Sequence, residues 1–246
     1  MFIHLTDAHC HIDFSKESDY SQLRGVDVCV SACFQDDWAL LQKFDKIAVY
    51  KAYGLHPYLR KSAEDSAHIS ETELFSESLP ALQEFLISAD ALGEIGLDKR
   101  IENDVPIDLQ EKAFCAQLDI AKKYNLPVII HCVGKWGMLQ DILKSWTNSA
   151  RGKFLLHSAS CSAELVDSFA EMGAYFSFGA RELNSDKGMQ CVKAVAQNRI
   201  LIETDSLADA EKLSQTLKNL AEIRNENAID LSEKIYSNFL DFYENE

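Results

Sequence analysis

Two histidines near the N-terminus are spaced so that they could bind one metal ion. His9 and His11 follow an apolar run in the segment Asp7-Ala8-His9-Cys10-His11. In an extended strand, side chains at positions i and i+2 point to the same face, so both imidazoles could reach one point in space. The alternative is a pair of exposed histidines in a turn, and the spacing alone does not separate the two.

Four further polar side chains end apolar runs later in the chain. His131 and His157 close two of these runs, and Glu94 and Asp205 close two more. A charge in this position is costly unless it is paired or coordinates an ion, although either carboxylate taken alone could be a helix N-cap or a loop residue. A mixed set of histidines and carboxylates suits two divalent ions, for which magnesium, manganese, zinc and iron(II) are all chemically suitable. We therefore predict metal ligands at His9, His11, Glu94, His131, His157 and Asp205.

Eight short apolar runs alternate with helix-like segments, which predicts repeated βα units. The helix-like segments include 108–124 and 162–172, and the final stretch 208–243 is also predicted to be helical. Eight units in 246 residues have the size of a (β/α)8 TIM barrel, possibly distorted, in one domain spanning 1–246. A doubly wound open sheet gives the same alternation, so periodicity does not separate the two folds. The predicted strands are 2–6, 26–33, 47–54, 89–96, 127–132, 153–157, 174–178 and 199–203.

The histidines cluster at the predicted strand ends. His9 and His11 follow the first strand, His56 follows the third, and His131 and His157 end the fifth and sixth. In a barrel these strand ends converge on one mouth, where active sites are built. His56 is either a substrate contact or a histidine that structures the loop before Pro57.

Composition narrows the class of protein further. The formal net charge of −15 argues against broad binding of long nucleic acids, which basic patches usually supply, but not against a phosphate substrate next to bound metal. The seven cysteines do not suggest a disulfide scaffold, and strand alternation turns Cys10 and Cys132 away from the histidines. No apolar run approaches the length of a membrane span and no secretory signal opens the chain, which predicts a cytoplasmic protein without a membrane partner.

Taken in order, the polar motifs resemble those of the TatD family of metal-dependent hydrolases, within the amidohydrolase-like barrels. The resemblance implies a distorted TIM barrel with a one- or two-metal site, in which His9, His11 and Asp205 bind one ion. His131 and His157 would bind the other, with Glu94 bridging. The motifs are D-A-H-C-H at 7–11, G-L-H-P at 54–57, G-E-I-G-L-D at 93–98, L-P-V-I-I-H at 126–131, His157 and E-T-D at 203–205.

The resemblance also implies a reaction, which is metal-dependent phosphodiester hydrolysis of DNA. Asp205 and Glu94 would be the catalytic residues, with Asp205 accepting a proton from water activated by the metal. The partners would be DNA ends or short oligonucleotides. His56 would lie close by as a substrate or phosphate contact.

The chain departs from the family pattern at three places near the predicted mouth. The family's arginine after the strand 5 histidine is absent, the segment after His157 differs, and no proline follows Asp205. Lys135 could replace the arginine and Arg181 could contact phosphate, but each could equally be a solvated loop residue. A metal-dependent amidase, esterase or lactonase acting on a small ester or amide is therefore the alternative function. A non-catalytic metal-binding protein is a third.

Overall fold

The computed structural model describes residues 3–14, 16, 25–44, 49–147 and 152–244. Phe2 and residues 47 and 48 of the predicted strands lie outside these ranges. Each predicted strand overlaps an observed one. The strands are β1 (Thr6–Cys10), β2 (Asp27–Ala32), β3 (Val49–Tyr53), β4 (Ala91–Asp98), β5 (Val128–Val133), β6 (Phe154–Leu156), β7 (Ala174–Phe178) and β8 (Ile200–Ile202).

Two strand boundaries were predicted wrongly, and both errors bear on the site. β1 begins at Thr6, where the predicted run ends, so His9 lies inside the strand and only His11 follows it. β4 continues to Asp98, so Glu94 lies within the strand and does not close it. Buried polar residues interrupt the apolar pattern in both strands. A strand accommodates such residues when hydrogen bonds satisfy them, and apolar periodicity does not detect this.

The described helices connect the strands as predicted. The segment predicted at 108–124 is a helix capped at its C-terminus by Asn125. Asn125 has a left-handed backbone (φ 53°), a conformation that asparagine tolerates. The predicted final helical stretch is two helices, because left-handed Asn225 ends the first and the Asn227 side chain caps the second. The helices are α1 (Gln35–Gln42), α2 (Glu71–Glu73), α3 (Leu79–Phe85), α4 (Ile107–Tyr124), α5 (Trp136–Thr147), α6 (Ala163–Glu171), α7 (Ala180–Leu183), α8 (Asp186–Ala194), α9 (Ala210–Arg224) and α10 (Ala228–Tyr243).

The strands follow one another in the sheet in chain order, from β1 to β8. The strand pairs β1–β2, β3–β4, β4–β5 and β7–β8 are parallel, and Gly96 of β4 lies opposite His131 of β5. β1 also contacts β8, and the backbone N–H of Asp205 donates to the carbonyl of His9 at 3.2 Å. Sequential order with the last strand beside the first is the topology of a (β/α)8 TIM barrel, whereas a doubly wound sheet reverses its order at a switch point. The predicted fold class is confirmed.

By its internal contacts the chain divides into two compact units. The first comprises Met1–Val30, Ile47–Tyr50 and Leu155–Glu246. Within it, α10 packs against β1 and β8 and buries Phe239 and Phe242 completely. The hydroxyl of Tyr243 donates to the carbonyl of Ala8 at 2.5 Å. This contact anchors the strand that carries His9.

The second unit comprises Ser31–Lys46 and Lys51–Phe154. Two glutamines of α4 hold backbone segments near the candidate site. Gln117 accepts from the N–H of Leu55 at 2.8 Å and donates to its carbonyl at 3.1 Å. Gln110 makes the same pair of bonds to the backbone of Asp98, at 2.8 and 3.1 Å. These amides satisfy buried backbone groups and so fix the loop after β3 and the end of β4.

Among the described residues, no helix combines the length and the apolar character that crossing a bilayer requires. The cytoplasmic location and the single domain over 1–246 stay predictions.

Candidate metal centre

In the first unit, the buried carboxyl group of Asp7 joins β1 to the segment after β8. Asp7 accepts hydrogen bonds from the backbone N–H of Thr204 at 3.0 Å, from its hydroxyl at 2.6 Å and from the N–H of His9 at 3.3 Å. Burial raises the pKa of Asp7 to about 8, although the hydrogen bonds from Thr204 act to lower it. The residue before Asp205 is thereby held against the strand that carries His9.

Three imidazoles surround one oxygen of Asp205. Oδ1 lies 3.7 Å from Nε2 of His9, 3.7 Å from Nε2 of His11 and 3.9 Å from Nδ1 of His157. His9 and His157 are buried, whereas His11 is 36% exposed at its side chain. These separations are too long for hydrogen bonds. Nitrogens of three predicted ligands therefore surround one carboxylate oxygen of a fourth, Asp205, at distances beyond hydrogen-bond range.

The second oxygen of Asp205 faces a different set of groups. Oδ2 accepts a 3.4 Å hydrogen bond from the hydroxyl of Ser158 and lies 3.9 Å from a terminal nitrogen of Arg181. The Asp205 side chain is 30% exposed, and its backbone is left-handed, with φ 49°. Aspartate tolerates this conformation better than most residues. The turn directs the carboxylate back toward β1 with one oxygen on the histidines and the other on polar neighbours.

Sequence reasoning missed Glu203, which lies under this cluster. The residue is buried and accepts hydrogen bonds from the backbone N–H and hydroxyl of Ser158 at 2.7 and 2.9 Å, and from the hydroxyl of Ser177 at 2.5 Å. Its Oε1 also lies 3.6 Å from Nδ1 of His157. The signal was the E-T-D motif, in which a first carboxylate precedes the predicted ligand. Glu203 holds the turn after β6 in place.

In the second unit, Glu94 lies between two histidines. Its Oε1 is 2.7 Å from Nδ1 of His131 and 3.6 Å from Nε2 of His56. Its Oε2 accepts a 3.4 Å contact from the thiol of Cys33. All three members of the cluster are buried. His56, predicted as a substrate contact, is thus a third member of a candidate ligand set.

Glycine lets β4 approach β5 closely enough to form this cluster. Gly96 has φ +146°, and a Cβ at that position would lie 1.9 Å from the carbonyl oxygen of His131. A side chain there would therefore push the two strands apart. The G-E-I-G segment thus places Glu94 beside His131 through the absence of a side chain.

Asp98, at the end of β4, is a second residue that sequence reasoning did not assign. Its Oδ2 lies 3.1 Å from Nε2 of His131, and it accepts hydrogen bonds from the backbone and guanidinium of Arg100. Burial acts to raise the pKa of Asp98, but the hydrogen bonds from His131 and Arg100 outweigh it and hold the pKa well below its usual range. Its signal was the last residue of G-E-I-G-L-D.

The donor atoms of both clusters suit a divalent ion. Potential ligand atoms of His9, His157 and Asp205 lie within 4.8 Å of one another, as do those of His56, Glu94 and His131. Tetrahedral ligands at zinc, about 2.0–2.2 Å from the ion, lie about 3.3–3.6 Å apart. The separations of 3.7–3.9 Å around Asp205 are close to that range, and imidazole with carboxylate is a suitable donor set. The identity of the ion, the number of ions and the bridging role of Glu94 stay predictions.

The remaining residues that the sequence suggested as possible contacts are either paired with carboxylates or buried. The ammonium of Lys135 pairs with Glu102 at 2.7 Å, and the guanidinium of Arg181 donates to Glu182 at 2.8 Å. The thiols of Cys10 and Cys132 are buried and belong to neither cluster in the described part of the chain. The substrate-binding assignments of Lys135 and Arg181 therefore stay predictions.

The fold and the His/carboxylate clusters define a TIM barrel with candidate sites for divalent metal ions. A family model described as "TatD related DNase" matches residues 6–244, so the chain belongs to the TatD family.

Curated relatives agree with this family. The chain is 32% identical over 170 residues to the "uncharacterized metal-dependent hydrolase YabD" of Bacillus subtilis, a match that covers 68% of this chain and 61% of that protein. It is 29% identical over 119 residues to the "3'-5' ssDNA/RNA exonuclease TatD" of a Rahnella species, covering 47% and 44% of the two chains. The matches thus span less than two thirds of the length of these two relatives.

The crystal structure of the TatD homologue YjjV from Escherichia coli K12 has the same fold. Its TM-score to this chain is 0.83, with 24% sequence identity over 99% of each chain.

Proposed function

We propose that this chain is a divalent-metal-dependent phosphodiesterase that acts on DNA ends or short oligonucleotides. The observation that carries the proposal is the position of Asp205, whose Oδ1 lies 3.7–3.9 Å from nitrogens of His9, His11 and His157. The name of the Rahnella relative, a 3'-5' ssDNA/RNA exonuclease, supports the choice of substrate.

The chain's own residues divide into two holding sets. His9, His11, His157 and Asp205 would hold one ion, and Glu94 and His131, beside His56, would hold another. The family resemblance implied His157 as a ligand of the second ion, but we place it with the first because its Nδ1 lies 3.9 Å from Oδ1 of Asp205. A divalent ion bound there would lower the pKa of a water molecule and would offset negative charge on the phosphoryl oxygens.

Asp205 is the residue that we assign as general base. Its Oδ1 faces the imidazoles, while Oδ2 lies on the side of Ser158 and Arg181, so Oδ2 is the atom that accepts the proton from the attacking water. No serine nucleophile is required, and the Ser158 hydroxyl is engaged by the carboxylate of Glu203 at 2.9 Å. Proton acceptance and ion holding are thereby divided between the two oxygens of one carboxylate.

One observation favours a second candidate function, a metal-dependent amidase, esterase or lactonase. Lys135 and Arg181, the predicted phosphate contacts, are paired with Glu102 and Glu182, and the whole chain carries a formal charge of −15. A neutral ester or amide needs no cationic contact. The same holding residues and the same base would serve attack at a carbonyl carbon.

The experiment compares the two substrate classes on one protein. Metal-stripped protein is reloaded separately with magnesium, manganese and zinc, then assayed on 3′- and 5′-labelled single-stranded oligonucleotides and on a panel of esters, amides and lactones. Asp205→Asn should lower kcat by at least about 100-fold. Asp209→Asn is the matched control, because Asp209 caps α9 and asparagine caps equally well.

Stepwise, metal-dependent shortening of the oligonucleotide that Asp205→Asn removes and Asp209→Asn keeps would support the phosphodiesterase. Turnover of a carbonyl substrate alone would replace it with the second candidate. Unchanged turnover in Asp205→Asn would refute the general base.

A further inference from the structure

The two ring nitrogens of His131 face two different carboxylates. Nδ1 lies 2.7 Å from Oε1 of Glu94, and Nε2 lies 3.1 Å from Oδ2 of Asp98. A neutral imidazole carries one proton, so one nitrogen donates and the other keeps a free lone pair. The choice between the two nitrogens decides which direction a ligand lone pair can take.

The surroundings of the two carboxylates differ. Asp98 is fully buried and receives three kinds of donor from Arg100, namely the backbone N–H at 2.8 Å, Nε at 3.0 Å and a terminal nitrogen at 2.5 Å. Its backbone is clamped by the amide of Gln110. Asp98 is therefore a fixed, ionised acceptor, and an ionised carboxylate can only accept a hydrogen bond.

We propose that Asp98 is a positioning residue that keeps the proton of His131 on Nε2 and so presents the Nδ1 lone pair to a metal ion beside Glu94 and His56. A second carboxylate that fixes the tautomer of a ligand histidine raises its affinity for the metal. The metal part rests on the proposed function. Without an ion, the 2.7 Å contact between Nδ1 and the Glu94 carboxylate needs a proton of its own, so the tautomer is read in the zinc-loaded protein.

A purely structural role for Asp98 makes a different prediction. In that case Asp98 serves only to bind Arg100 and to start the turn at Lys99–Ile101, where its side chain accepts the backbone N–H of Arg100. Arg100→Gln removes that ion pair and leaves the contact between Asp98 and His131. Substitution of Arg100 therefore tests the structural role, and substitution of Asp98 tests both roles.

The experiment uses two readouts on the full-length chain. The first is the ¹⁵N spectrum of the His131 imidazole in zinc-loaded protein, which distinguishes a ring that carries its proton on Nε2 from one that carries it on Nδ1. The second is the affinity for zinc, measured by competition with a chelator. The variants are Asp98→Ala and Asp98→Asn. The controls are Arg100→Gln and Asp90→Asn, the latter being the same exchange just before the other end of β4.

The zinc-loaded wild-type protein should show the Nε2–H tautomer. Asp98→Ala should give a mixture of tautomers and weaken zinc binding by about 10- to 100-fold. Asp98→Asn, whose amide oxygen still accepts, should weaken zinc binding by several-fold, and it carries the test if the alanine variant does not fold. Both controls should stay within about twofold of the wild type in zinc affinity.

Wild-type tautomer and wild-type zinc affinity in the Asp98 variants would overturn the proposal, as would equal losses in Arg100→Gln. A wild type that binds no zinc would overturn both this proposal and the metal centre of the proposed function. Zinc binding that depends on Asp98, in a protein that turns over no oligonucleotide, would refute the phosphodiesterase activity and uphold the role of Asp98.

Discussion

The hydroxyl of Thr204 donates a 2.6 Å hydrogen bond to Oδ2 of Asp7, and this contact joins residues 197 positions apart in the chain. It ties the residue before Asp205 to the strand that carries His9. The cluster around Asp205 therefore depends on a pair of side chains that would not themselves hold an ion.

Replacing Thr204 with valine should weaken both the fold and the metal site. The change leaves the fully buried carboxyl group of Asp7 with one hydrogen bond fewer, which costs about 1–3 kcal/mol of unfolding free energy. We expect this loss in denaturant unfolding, together with weaker zinc binding by the stripped protein. The matched control is Thr6→Val in β1, because the Thr6 hydroxyl is buried and has no hydrogen-bond partner within the described residues. Equal losses in the two variants would contradict the assigned role of Thr204.

Glu94→Gln should reduce metal binding with little change in packing. Glutamine has nearly the same shape but offers a neutral oxygen, which is a weaker ligand for a divalent ion. We expect roughly tenfold or greater weakening of one binding step in a calorimetric titration of stripped protein, with an unfolding midpoint close to that of the wild type. A variant that binds every ion with wild-type affinity would remove Glu94 from the ligand set.

The ion pair between Lys135 and Glu102 gives opposite predictions for its two members. If Lys135 contacts phosphate, Lys135→Ala should raise KM for an oligonucleotide by a few-fold at unchanged kcat, because a surface charge contributes modestly. Glu102→Gln should lower KM, because it releases the ammonium from a competing carboxylate. Both effects should shrink in high salt. A KM that neither substitution changes would exclude Lys135 from substrate binding.

Asp90 provides a test of stability against pH. Burial raises the pKa of this carboxyl, and the hydrogen bond from the N–H of Lys51 at 2.8 Å only partly offsets it. Because the folded pKa lies above the unfolded value, the stability that Asp90 contributes is present at low pH and is lost as the pH rises through the folded pKa. Asp90→Asn keeps an acceptor oxygen and removes the charge.

The Asp90→Asn variant should therefore be more stable than the wild type at pH 7, by at most about 1 kcal/mol. The difference should shrink as the pH falls below the folded pKa, where the wild-type carboxyl is protonated as well. Thermal unfolding of both proteins across this pH range is the measurement. A difference independent of pH would assign the effect to packing and not to the charge.

Local sequence pattern predicted the strands and the candidate ligands, but it did not separate a barrel from a doubly wound sheet. Apolar runs at regular intervals predicted all eight strands, because burial of a strand needs only a short stretch of suitable side chains. Two imidazoles at positions i and i+2, and polar residues at or near strand ends, predicted candidate ligands because both patterns are visible within a short stretch of sequence. Pattern failed at the boundaries of β1 and β4, where buried Asp7 and Glu94 interrupt the apolar run.

What only the tertiary structure decided is which polar groups share an environment. The bonds of Thr204 to Asp7, of Ser158 to Glu203 and of His131 to Asp98 join residues from different strands and loops. Most buried polar groups have a hydrogen-bond partner, and in these three pairs the packing of distant segments selects the partner. The amino-acid sequence therefore determined the kinds of candidate ligand and the strands that carry them. The tertiary structure determined how each candidate ligand is oriented, and which neighbouring carboxyl or hydroxyl group holds it in that orientation.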